Sequence, residues 1–168
     1  MRRLEPEALL AALAAHEVEY IVVGGYAVAA HGFPRATQDV DICPRPSARN
    51  LRRLAAALEE LEAEPIGLDE LGSEFELRPN LEGLKLGGNW VLTTKHGRLD
   101  VMQHLKGLGE DGGGWAELRP HAVQRIFLGH DCFFCSYEDL LRMKIAAGRD
   151  QDRVDVRTLK AQRHDLTP

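Results

Sequence analysis

The sequence is short of cysteine and aromatic residues and has no long apolar run. Its three cysteines, Cys43, Cys132 and Cys135, are an odd number in 168 residues, a length that needs no covalent staples, so a reducing compartment fits better than a disulfide framework. Cys132-Phe-Phe-Cys135 has the CxxC spacing, but only once, and Phe133-Phe134 reads as strand core; a zinc site completed by Cys43 or a histidine is the alternative. No stretch of 18 apolar residues occurs, and the first twenty residues carry Glu5 and Glu7 in an amphipathic pattern. Neither a membrane span nor a signal peptide is expected, and the expected location is cytoplasmic. Positive charge is not in excess: 21 Lys and Arg against 26 Asp and Glu give −5, which argues against coating DNA or lipid through global charge. A Walker lysine loop, a serine nucleophile elbow, an HExxH pair, internal repeats and low-complexity tracts are also missing. With 44% apolar and 28% charged residues, the chain reads as one domain, 1–168, with a core over about 18–135 and closing helices over about 136–162.

Leu4, Leu9, Leu10 and Leu13 recur at helical spacing, and the period then changes to the apolar run Tyr20-Ile-Val-Val, a buried strand. Gly24-Gly25 ends that strand and opens a short helix through His31, read as a packed or loop-bracing residue. Gly32 and Pro34 impose a loop; Asp39-Val-Asp-Ile-Cys43 is a strand with one polar face; Ser47 caps a helix through about Leu61. From Pro65 to Gln103 the turn signals Gly72-Ser73, Pro79-Asn80, Gly87-Gly88-Asn89 and His96-Gly97 predict short antiparallel strands, the last over 98–103. Five glycines between Gly107 and Gly114 predict a flexible loop, either a lid or a surface connection. Two strands joined at Gly129-His130, a helix starting at Ser136 and another over about 151–162 complete the chain.

The carboxylates carry the chemistry. Period two puts Asp39 and Asp41 on one face of their strand, where two close anions repel each other unless a cation lies between them. Hard oxygen ligands favour magnesium or manganese. Asp100 is a lone carboxylate in an apolar strand, and three carboxylates on adjacent strands suit two cations that activate a hydroxyl and neutralise a leaving pyrophosphate. Gly24-Gly25 lets backbone N–H groups approach phosphate oxygens with no side chain in the way.

Gly24-Gly25, thirteen residues, then Asp39-Val-Asp41 and a later isolated Asp100 resemble the signature of the nucleotidyltransferase superfamily that shares the DNA polymerase beta palm. The string GGYAVAAHGFPRATQDVDI is similar to bacterial minimal nucleotidyltransferases and the abortive-infection AbiEii-type group, and more distantly to lincosamide nucleotidyltransferases; residues 138–155 resemble their closing helical segment. The resemblance implies an α/β fold with a mixed sheet flanked by helices, a nucleoside triphosphate, two magnesium or manganese ions, and transfer of a nucleoside monophosphate. Gly24 and Gly25 would hold the triphosphate, Asp39 and Asp41 both metals, and Asp100 the catalytic metal while helping to deprotonate the acceptor. RNA such as a tRNA end, a partner protein or a small molecule is the implied acceptor, in a toxin–antitoxin or defence setting, and a homodimer is compatible with it. An inactive nucleotide- or protein-binding module on the same fold is the alternative.

Arg35 and Thr37 precede the acids and stand where side chains would reach phosphate or base, unless the arginine is merely solvated. Lys144 lies in an apolar helical stretch, where a partly buried ammonium either meets the triphosphate or snorkels to solvent. Asp152 and Asp155, with Arg149 a turn earlier, read as local ion pairs and not as a second metal site. Arg45, Arg49, Arg52 and Arg53 oppose the dipole of their helix, so they form either a solvated basic face or a surface for an RNA or phosphorylated acceptor.

Overall fold

Tyr20–Val23 forms β1, four apolar residues buried on both faces, and every other strand is arranged about it. The computed structural model describes residues 3–67 and 77–165. The described strands are β1, β2 (Asp39–Pro44), β3 (Glu64–Pro65), β4 (Asn89–Thr94), β5 (Gly97–Met102), β6 (Val123–Phe127) and β7 (His130–Phe134), joined in one mixed sheet of order β3-β4-β5-β2-β1-β7-β6. β1 runs antiparallel to β2 and parallel to β7, and β2 runs parallel to β5. The fold class is therefore the mixed α/β sheet expected from the sequence.

Helix α1 (Pro6–Ala15) buries Leu9, Leu10 and Leu13 and packs on α3 (Ala48–Glu60), whose Leu51, Leu54 and Leu58 form the matching stripe. Ser47 caps α3 as expected, its hydroxyl accepting from the Asn50 amide at 3.3 Å. Asn50 is buried and satisfies both backbone groups of Glu19, at 2.7 and 2.8 Å, and the Arg45 carbonyl at 2.9 Å. It fastens α3 to the outer ends of β1 and β2. The short α2 (Gly24–Ala30) packs on β1 and β2, and α6 (Tyr137–Ala147) and α7 (Asp150–Asp165) pack on each other, with α6 also touching α2.

The region expected to hold only strands contains a helix, α4 (Leu81–Lys85). Asn80 is its N-cap, accepting from the Gly83 amide at 3.0 Å, so the Pro79-Asn80 signal starts a helical turn instead of reversing a strand. The Gly72-Ser73 signal lies outside the described residues. The glycine-rich loop is a docked connection: Leu105 and Gly113 exchange backbone hydrogen bonds at 2.7 and 3.0 Å, and Leu108 is buried. Beyond it, α5 (Trp115–Leu118) and a 3-10 turn (Arg119–His121) add a segment that is too short to show periodicity in the sequence. The β6–β7 hairpin forms as expected, with positive φ at Leu128 and Gly129, the type I′ geometry that follows strand twist.

Candidate active site

Parallel pairing of β2 with β5 aligns Asp39 with Arg98 and Asp41 with Asp100. Because side chains alternate, all four lie on one face, and ligand oxygens of Asp39, Asp41 and Asp100 fall within 4.8 Å of one another. Burial drives the Asp41 carboxyl up to about 7, and the negative charges of Asp39 and Asp100 add to that; Lys144 and Arg149 pull the other way. Burial likewise raises Asp100 to about 6, against the opposing Arg98 charge. Arg98 Nη2 donates to Asp100 Oδ2 at 3.3 Å and lies 3.7 Å from Asp39 Oδ2. Asp100 Oδ1 is buried with no hydrogen-bond partner among the described residues. Three crowded carboxylates, of which Asp41 and Asp100 have raised affinity for protons, and one orphaned acceptor fit a hard divalent cation, which would supply the missing partner and offset the repulsion.

Gly24 follows β1 at the level of Asp41, since Val23 is the cross-strand partner of Asp41. It has φ +66, and a Cβ there would overlap the Asp41 carboxylate. Only glycine serves both demands. A Cβ on Gly25 would overlap the Thr37 hydroxyl. Thr37 itself donates to Asp39 Oδ1 at 3.2 Å, so its hydroxyl braces a carboxylate.

Lys144 does not snorkel. It is buried, with its ammonium 2.9 Å from both Asp152 Oδ1 and Asp155 Oδ2. Arg35 is not merely solvated: Nε and Nη2 donate to the two oxygens of Asp155 at 2.8 and 2.9 Å, and Nη1 to the Ala36 carbonyl at 2.9 Å. Arg149 Nε donates to Asp152 Oδ2 at 2.7 Å, the local pair expected from spacing. Burial works to raise Asp152 and Asp155, but the hydrogen bonds from Arg149, Arg35 and Lys144 outweigh it and hold both below the ordinary range. Gly24, Asp41, Lys144 and Arg149 border one cleft of about 330 Å³, which Met102 and Met143 also line. A larger groove, about 890 Å³, runs between α3 and α4 past Arg52, Glu59 and Leu81 and includes none of the three carboxylates.

Of the basic cluster, Arg45 pairs with Glu19 at 2.9 Å and Arg53 with Glu17 at 2.8 Å, bonds that tie α3 and the end of β2 to the α1–β1 connection. His31 braces as expected, bonded through Nε2 to the Cys135 carbonyl at 2.9 Å. The zinc alternative does not hold among the described residues, where the Asp39, Asp41 and Asp100 cluster contains no cysteine and all three cysteines are buried free thiols. Arg98 is the site residue that sequence reasoning missed, although its place two before Asp100 in a strand was a usable signal.

Neither a protein-family model nor a curated protein matches the sequence. Solved structures do match. The lincosamide antibiotic adenylyltransferase LnuA, bound to lincomycin, aligns over 95% of this chain and 98% of its own with TM-score 0.56 and 15% identity. A Thermotoga maritima protein described as a candidate nucleotidyltransferase aligns over 96% and 97% with TM-score 0.54, also at 15% identity. This chain has the nucleotidyltransferase fold. Near-complete coverage in both directions means that the likeness extends over the sheet, the carboxylate strands and the closing helices α6 and α7 together. At such identity the likeness is one of nucleotidyltransferase fold, and the chemistry rests on the residues themselves.

Proposed function

We propose that the chain is a metal-dependent nucleotidyltransferase that moves a nucleoside monophosphate from a nucleoside triphosphate to a hydroxyl or phosphate oxygen of an acceptor. The observation that carries this reading is the convergence of ligand oxygens of Asp39, Asp41 and Asp100 within 4.8 Å beside a glycine pair where a Cβ would collide with the Asp41 carboxylate and the Thr37 hydroxyl. Asp39 and Asp41 would hold two magnesium or manganese ions and Asp100 one of them; such ions neutralise phosphate charge and lower the pKa of a bound hydroxyl. Gly24 and Gly25 would meet phosphate oxygens through their backbone N–H groups at the end of β1. The acceptor oxygen attacks the α-phosphorus, the bond from that phosphorus to the bridging α–β oxygen breaks, and pyrophosphate leaves with the electron pair. For a hydroxyl acceptor, Asp100 would take the proton released as the oxygen attacks. Thr37 keeps Asp39 in place through the 3.2 Å hydrogen bond.

The acceptors to assay are RNA 3′ ends, partner proteins and small-molecule hydroxyls, with RNA or a partner toxin first because the sequence resembles AbiEii-type proteins. Labelled triphosphate with magnesium should yield pyrophosphate and a labelled acceptor, and Asp39→Asn should abolish both. Pyrophosphate release unchanged by that substitution would exclude this site. A second reading, a nucleotide-binding module without chemistry, is favoured by Arg98, which already lies 3.3 Å from Asp100 and 3.7 Å from Asp39 as a resident counter-charge. Triphosphate binding without pyrophosphate release, across all acceptors tried, would select it.

A further inference from the structure

Five charged side chains form one line of alternating sign behind the carboxylate cluster: Arg35, Asp155, Lys144, Asp152, Arg149, with successive contacts of 2.8, 2.9, 2.9 and 2.7 Å. The three inner side chains are no more than 7% exposed, whereas the two end guanidiniums are 26% and 77% exposed. Buried ion networks are rarely worth more to stability than well-packed apolar residues of the same volume, so stability alone does not account for this one. What the inner members do accomplish is to fix their ends. Asp155 holds Arg35 with its Nη2 beside Gly25, 3.4 Å from where a Cβ would stand. Asp152 holds Arg149 on the cleft that contains Gly24 and Asp41.

Three positive and two negative charges leave one positive charge unmatched. Lys144 is paired twice and shielded from solvent; Arg149 has Asp152 as its one ion-pair partner and feels the Asp41 and Asp39 charges across the cleft, and its Nη1 makes no hydrogen bond among the described residues. We propose that Arg149 binds the β- and γ-phosphates of the triphosphate, and that Lys144, Asp152 and Asp155 touch no nucleotide but position Arg149 and Arg35. The planar fork of arginine, with Nε and one Nη engaged behind, presents its free N–H groups in a fixed direction, which suits an oxygen-rich dianion better than a mobile ammonium does. This assignment rests on the nucleotidyltransferase reading above.

The test uses magnesium tripolyphosphate as the ligand, with a nucleoside monophosphate and manganese as controls, all titrated calorimetrically against the full chain. Arg149→Ala should weaken tripolyphosphate binding about tenfold or more while leaving monophosphate and manganese binding unchanged. Its melting temperature should stay close to that of the unaltered protein because the side chain is largely exposed. Arg149→Lys should recover only part of the loss, Asp152→Asn should reproduce it without touching phosphate, and Arg142→Ala, an exposed α6 arginine, should have no effect. Tripolyphosphate binding unchanged in Arg149→Ala, while pyrophosphate release persists in the unaltered protein, overturns the Arg149 assignment alone. So does a loss confined to single-stranded oligonucleotide, which would make Arg149 an acceptor contact. Failure of the unaltered protein to bind tripolyphosphate or any triphosphate overturns both readings.

Discussion

Asp41 and Asp100 face each other directly across the parallel pair of β2 and β5, and both carboxyls are raised, to about 7 and about 6. The folded, metal-free protein therefore keeps protons that the unfolded chain has released above about pH 4. Stability contributed by that proton uptake is present at mildly acid pH and declines as pH rises through the window from about 4 to about 7. Asp152 and Asp155 act oppositely: held low by their cation partners, they contribute stability that is lost as pH falls below the ordinary carboxylate range. Thermal melts of metal-free protein should thus show greatest stability in mild acid. Magnesium or manganese should raise the melting temperature more at pH 8 than at pH 5, since protons compete for the same oxygens. An equal metal effect at both values would exclude the carboxylate cluster as the binding site.

Arg98 supplies the charge that moderates this crowding. Removing it should raise the affinity of the cluster for manganese by several-fold, because a competing positive charge leaves, while the metal-free fold loses stability. Arg98→Met measured by paramagnetic titration and by melting gives both quantities. Weaker manganese binding in that variant would mean that Arg98 instead orients the ligands.

Gly24 and Gly129 form a matched pair of controls. Both have positive φ, but a Cβ at Gly24 meets the Asp41 carboxylate, whereas nothing lies within 4 Å of one at Gly129. Gly129→Ala should cost about 1 kcal/mol of stability, from backbone conformation alone, and leave metal binding intact. Gly24→Ala should cost more, roughly 2–3 kcal/mol, and also abolish manganese binding by displacing Asp41. Denaturant melts with parallel metal titration separate the two effects.

Asn50 bridges three backbone groups while being 1% exposed. Asn50→Ala leaves buried backbone donors and acceptors unmatched, and should destabilise the protein by about 1–3 kcal/mol with no change in metal or triphosphate affinity. Differential scanning calorimetry of the metal-loaded protein checks this.

The sequence carried more of the site than of its surroundings. Asp39, Asp41 and Asp100 are legible because alternation in a strand is a local rule, and Arg149 with Asp152 because a helix brings residues three apart together. The Arg35–Asp155 pair joins residues 120 positions apart, a separation at which no local pattern exists. Helix α4 escaped detection because Asn80 serves equally as a turn residue and as a cap, and only the packing of Leu84 in the core decides between them. Lys144 is legible as a buried cation in need of an anion, whereas its pairing with Asp152 and Asp155 at 2.9 Å depends on how α7 folds back on α6.

Cys43, Cys132 and Cys135 are at most 2% exposed, and burial holds all three thiols above their ordinary range. Thiol-directed reagents should consequently find almost no thiolate in the native protein. That silence is useful: Val154→Cys, on the 52% exposed outer side of α7, would introduce a single addressable thiol. A fluorophore or spin label attached there would report directly on how the helix bearing Asp152 and Asp155 responds when a polyphosphate arrives on its other side.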